Sequence, residues 1–140
     1  MNARFAHQIR VRYQECDPQG VVYFARYLDY FDVALTELWR ERFGAYNTLV
    51  ESGSDMVVAE VNVRYRAAAA FDDVIEVELD GVELGNTSMT MRWRIVVEDR
   101  LLAEATFRQV FIQAGTRDKK AIPGEVRAGL ADLASQPSAA

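Results

Sequence analysis

A chain of 140 residues, half of them apolar and 26% charged, can bury one sizeable core but is too short for two comfortably packed domains. Its 16 Lys and Arg against 21 Asp and Glu leave a net charge of −5 with no basic tract, which argues against nucleic acid as a partner. One cysteine (Cys16) and one histidine (His7) exclude an intramolecular disulfide, a cysteine-rich zinc site and most Ser-His-Asp schemes, and no apolar run is long enough to cross a membrane. The first ten residues lack a signal-peptide core. The expectation is a cytoplasmic single domain over residues 1–134, with SQPSAA at 135–140 fraying.

In chain order, residues 8–14 alternate, with Ile9, Val11 and Tyr13 on one side and Arg10 and Arg12 on the other, as in a half-buried strand. Asp17-Pro18-Gln19-Gly20 has the residues a type I turn favours. From about 22 to 43 the period changes. Phe24, Tyr27, Leu28, Phe31, Leu35, Leu38, Trp39 and Phe43 recur at helical spacing, and Gly44 is a natural stop. A variable stretch, 45–55, follows. Alternation then predicts strands around 57–66, 75–80, 89–97 and 103–112. In the last of these, Ala103, Ala105 and Phe107 set one phase and Val110 and Ile112 the other, which suggests a bulge near Arg108–Gln109. Residues 123–134 have the makings of a short closing helix. One strand, one long helix and four closely linked strands make an α+β fold with mostly antiparallel pairing. A single helix leaves one sheet face uncovered, and that face carries Arg, Glu and Asn, which suits water or a polar interface.

Asp17 is the most informative single residue. It either stabilises its turn or acts as a carboxylate beside a helix start, where free amides near Tyr23 to Ala25 can polarise a carbonyl. In the second case acyl transfer needs little else, since the carboxylate attacks the carbonyl or activates water toward it. Cys16 is a rival nucleophile, but alternation turns it away from Asp17. His7 reads as a surface residue ahead of the first strand. Tyr13 and Tyr23 read as wall residues with hydroxyls near polar groups, and Tyr13 is carried as a third candidate catalytic residue. Arg64, Arg66, Arg92 and Arg94 lie on the polar face of two strands, where they are solvated, meet ligand phosphates or salt-link a neighbouring subunit.

The stretch VRYQECDPQGVVYFARYLDYFDVALTELWRE, with an acidic pair around Asp17, Gly20-Val21-Val22-Tyr23 and Tyr27, resembles the 4-hydroxybenzoyl-CoA thioesterase family. Tyr65-Arg66-Ala67, Phe71-Asp72-Asp73, Thr87-Ser88 and the final LLAEATFRQVFIQ fall in the family's order, so the resemblance spans about residues 5–125. It implies a hotdog fold: a five-stranded antiparallel sheet wrapped around one long central helix. It further implies homodimers or homotetramers with active sites between subunits. The reaction implied is hydrolysis of an acyl-CoA to a carboxylic acid and free coenzyme A, without metal or added cofactor. Asp17 would be nucleophile or general base, and the Phe24 amide the donor to the thioester carbonyl. Many bacterial relatives carry histidine where this chain has Phe24, so the resemblance does not carry a histidine-assisted route over to this chain, while the amide contribution is unaffected. Tyr23, Thr87 and Ser88 would contact substrate. A basic cluster that some members place before Thr87 is replaced by Gly85 and Asn86, which leaves the phosphates to Arg64, Arg66 or water. Two other readings on the same fold are a non-catalytic acyl-CoA or acyl-carrier binding module and a dehydratase, the latter disfavoured by the position of His7.

Overall fold

The computed structural model describes residues 5–134; the expected fraying of 135–140 lies outside them. Five strands form one sheet in the order β1-β3-β4-β5-β2, and every neighbouring pair is antiparallel. The strands are β1 (Phe5–Arg10), β2 (Ser54–Tyr65), β3 (Val74–Leu84), β4 (Ser88–Val97) and β5 (Arg100–Gln113). The helices are α1 (Arg26–Phe43), α2 (Tyr46–Glu51) and α3 (Gly124–Gly129).

The long helix forms because its apolar residues repeat at three and four, giving a stripe that must be buried. Tyr27, Tyr30, Phe31, Ala34, Leu38 and Trp39 of α1 are buried. They join Ile75, Val77 and Leu79 of β3, Met89, Met91, Trp93 and Ile95 of β4, and Ala105, Phe107 and Phe111 of β5 in one core. Gly44 ends α1 at φ +87°, a conformation that costs glycine little. The intervening residues of β3 and β4 face the other way and carry Glu76, Glu78, Arg92 and Arg94. Glu78, Arg94, Glu104 and Arg64 lie side by side across four strands, alternating in charge.

Several expectations shift. The first strand runs from Phe5 to Arg10 rather than 8–14, so His7 lies within it, half-buried opposite Val77. It ends early because its partner strand does: Arg10 pairs with Val74, the first residue of β3. Val11 instead bonds the loop at Asp72 and Asp73, and Tyr13–Glu15 wind into a 3-10 turn. Tyr13 is therefore 78% exposed rather than half-buried. The helix starts at Arg26, later than expected, and Phe24 and Leu28 stay exposed outside the core. The variable stretch holds α2, and the closing helix is only six residues long. The phase slip in β5 lies at Leu102, which the β4–β5 ladder skips between the pairs Ile95–Ala103 and Val96–Leu101; near Arg108–Gln109 the strand stays in phase, since Ala105, Phe107, Gln109 and Phe111 are all buried on one side. The extra residue there is Ala59, across the ladder in β2, where Val58 pairs with Gln109 and Glu60 with Arg108.

Candidate active site

The segment between β1 and α1 folds back on itself. Cys16 pairs with Val22, and the Asp17 N–H donates to the Val21 carbonyl at 2.8 Å. Between them the chain reverses, with the Gly20 N–H on the Asp17 carbonyl at 2.9 Å and Gly20 at φ +81°. The Asp17 side chain also accepts the Gln19 N–H through Oδ1 at 2.8 Å. Asp17 thus does stabilise its turn, yet its carboxylate is half-buried and lines a cleft of about 380 Å³. Val22, Phe24, Tyr27, Tyr65 and Arg66 form most of the remaining wall. Cys16 packs toward the core instead, as alternation requires.

The other half of the site is the entry to α1. Of the three amides expected there, that of Tyr23 is committed to the Glu15 carbonyl at 2.9 Å. Among the described residues, the N–H groups of Phe24 and Ala25 have no intramolecular acceptor. They lie just ahead of α1, whose own first N–H groups, of Arg26, Tyr27 and Leu28, are taken up by the carbonyls three residues back. Asp17 and Phe24, the latter with an unpaired N–H, therefore line one cleft, which brings together the residue types that moving an acyl group requires.

Two aromatic residues with no assigned role in the sequence reading complete the cleft. Tyr65, at the end of β2, donates its hydroxyl to the Phe24 carbonyl at 2.9 Å and meets the Phe24 ring edge-on at 6.2 Å. Tyr27 is buried, and its hydroxyl accepts the Ala69 N–H at 3.0 Å. Burial raises the pKa of both phenols, so they stay neutral donors and acceptors at ordinary pH. Tyr65 falls in the Tyr65-Arg66-Ala67 motif, which was the signal available for it.

The remaining candidates are dispersed. Tyr13 stands against Phe71, edge to face at 5.8 Å, outside the cleft. Tyr23 meets the Phe24 ring in a tilted contact at 4.9 Å and is exposed. Arg66 sits at the rim, ion-paired with Glu104 at 3.1 Å. Arg64 lies on the sheet's other face, in a concavity of about 360 Å³ with Arg92, Arg94, Asp80 and Glu104. There Arg92 pairs with Glu83 and Arg94 with Glu78. Thr87 closes the turn between β3 and β4 and Ser88 opens β4; the turn's carbonyls at Gly85 and Asn86 are held by Arg127 of α3. Strand β3, eleven residues or roughly 36 Å long, separates that turn from the Asp17 end of the sheet. No group of three or more His, Cys, Asp or Glu among the described residues is placed to hold a metal ion, and no helix there is long and apolar enough to cross a membrane.

A single long helix against one face of a five-stranded antiparallel sheet, with a carboxylate at the helix entry, is the hotdog architecture. The chain belongs to the thioesterase-like superfamily, whose family model matches residues 11–130. It is 32% identical to the acyl-CoA thioesterase YbgC of Haemophilus influenzae over 130 residues, covering 92% of this chain and 96% of the relative. It is 31% identical to the acyl-CoA thioester hydrolase YbgC of Escherichia coli, covering 87% and 92%. Among solved structures, a hypothetical protein of Thermus thermophilus superposes with a TM-score of 0.84 at 31% identity, covering 93% of this chain and 99% of that one. One of Aquifex aeolicus gives 0.84 at 29% identity, covering 90% and 98%.

Proposed function

We propose that the protein hydrolyses acyl-CoA thioesters to a carboxylic acid and free coenzyme A, with Asp17 as the reacting carboxylate and the Phe24 N–H as donor to the thioester oxygen. The observation that carries this reading is the shared cleft, lined both by half-buried Asp17 and by Phe24, whose N–H is uncommitted. The names of the relatives support the substrate class. As charge builds on the carbonyl oxygen, a preorganised N–H stabilises it without reorganisation. Two routes balance. Asp17 attacks the carbonyl carbon and the C–S bond breaks, giving a mixed anhydride that water then opens. Alternatively Asp17 takes a proton from water as the water oxygen attacks. In both, the coenzyme A thiolate leaves and is protonated.

The test is release of free thiol from a panel of aromatic, short-chain and long-chain acyl-CoAs. Asp17→Asn is expected to lower kcat by about 100-fold or more, in line with loss of a general base or nucleophile. Full turnover in that variant removes Asp17 from the mechanism. Saturable binding with no thiol released by the wild type would identify a binding module instead. A first turnover in ¹⁸O-water that gives product carrying an unlabelled Asp17 oxygen identifies the anhydride route, with water opening the anhydride at the Asp17 carbonyl carbon.

We infer further that the working unit contains more than one chain. Edge strand β2 leaves Val57, Val58, Val61 and Tyr65 exposed, and an unpaired apolar edge is a template for a second strand. An acyl-CoA seated at Asp17 meets Arg66 of its own chain, whereas Thr87 and Ser88 come within reach only from a second copy. Arg64, on the outer face, is a weaker phosphate partner than Arg66.

A further inference from the structure

Glu15 stands two residues before Asp17 and does not line the cleft. Its side chain is nonetheless among the most fully engaged in the molecule. Glu15 is 7% exposed. Oε1 accepts the Arg12 N–H at 2.9 Å and the Tyr30 hydroxyl at 2.9 Å, and Oε2 accepts Arg12 Nε at 3.2 Å. Burying a carboxylate is costly unless its oxygens are satisfied, so this arrangement stands only with its partners in place. Tyr30 belongs to the second turn of α1 and is itself buried. The Glu15 backbone is equally committed: its N–H reaches the Arg12 carbonyl at 3.0 Å, and its carbonyl takes the Tyr23 N–H at 2.9 Å.

One residue therefore touches three parts of the site. It precedes Asp17 by two positions, it holds Tyr23, which precedes the Phe24 donor, and it is bolted to α1 through Tyr30. We propose that Glu15 is a positioning residue, which sets the spacing between the Asp17 carboxylate and the Phe24 N–H by tying both to α1. The proposal rests on the reading of Asp17 and Phe24 as the reacting groups. Its physical basis is preorganisation: a misplacement of about 1 Å in a reacting pair costs on the order of 100-fold in rate.

Three variants test it. Tyr30→Phe keeps the ring in the core and removes the hydroxyl. Glu15→Leu removes every side-chain hydrogen bond, and Glu15→Gln keeps an acceptor for the Arg12 N–H and the Tyr30 hydroxyl. Tyr30→Phe is expected to lower kcat about 10-fold with KM for acyl-CoA changed by less than about 2-fold, Glu15→Leu to lower kcat about 100-fold, and Glu15→Gln to recover most of the loss. Wild-type kcat in folded Tyr30→Phe, or losses that merely follow the unfolded fraction, overturns it. Amide hydrogen exchange read at Asp17, Val22 and Tyr23, whose N–H groups are bonded, gives an answer independent of turnover. Exchange is expected to quicken at these three amides in Tyr30→Phe and in Glu15→Leu but not in Glu15→Gln. Unchanged exchange in Tyr30→Phe overturns the proposal even if wild type cleaves no thioester, and it does so whether or not Glu15→Leu folds.

Discussion

At the scale of single residues, the acidic pair around Asp17 divides its labour by burial. Asp17 is half-buried at a cleft, and Glu15 is enclosed. Burial pushes the Glu15 pKa up, but the hydrogen bonds from the Arg12 N–H, the Tyr30 hydroxyl and the Arg12 side chain outweigh it and hold the carboxyl below its ordinary value. A carboxyl depressed on folding stabilises the fold above its unfolded pKa, and that contribution is lost as pH falls through the depressed value. Wild type should therefore exceed Glu15→Gln in Tm at neutral pH, and the gap should close on acidification below the ordinary carboxylate range. Thermal unfolding of both proteins across that range checks the sign. A gap that widens with acid contradicts it. The sequence displays both acids, but nothing in their spacing says which one is enclosed. That depends on Tyr30, fifteen positions away, where helical phase and tertiary packing meet.

At the scale of elements, alternation and helical periodicity were legible wherever both faces of an element had different solvents. Strand β4 and β3 as far as Leu79 show it, because one side is buried in the core and the other is not; beyond a bulge at Asp80 the phase of β3 changes, and the alternation read from sequence ends there. Legibility fails where a pattern outlasts its partner, as in the first strand, whose alternation continues to Tyr13 after β3 has ended. It fails also where a polar residue takes a core position. Gln109 broke the apparent phase of β5 only because its amide is polar; the backbone keeps in step from Ala103 to Phe111, and the side chain is buried with Oε1 lacking a hydrogen-bond partner. A buried, unpaired polar atom costs about 1–3 kcal/mol. Gln109→Leu, of similar size, is accordingly expected to raise the free energy of unfolding by about 1 kcal/mol. Equilibrium urea denaturation measures it, and a loss of stability would mean that the amide has a partner in solution.

At the scale of the whole molecule, the residues that least fit a lone chain share one region. Phe24 and Leu28 continue the apolar stripe of α1 yet are exposed, and Val57, Val58 and Val61 line the unpaired edge. Periodicity reports that a side chain prefers to leave water; it does not say whether its own chain or another provides the cover. The separation of Thr87 and Ser88 from Asp17 has the same explanation if a second copy brings its β3–β4 turn to the first copy's cleft. Pairing of β2 with β2 across a two-fold axis would bury both sets of valines and satisfy the edge backbone. Lysines placed there oppose such pairing by like charge across the axis while leaving the exposed positions of the single chain undisturbed. The double variant Val57→Lys, Val61→Lys is expected to weaken self-association by about 100-fold or more, a shift of roughly 2.8 kcal/mol. Sedimentation at micromolar concentration should give wild type at twice the chain mass and the variant at once, with hydrolysis lost in step with dissociation. A wild type that sediments as one chain, or a monomeric variant with full turnover, would show that each cleft works alone.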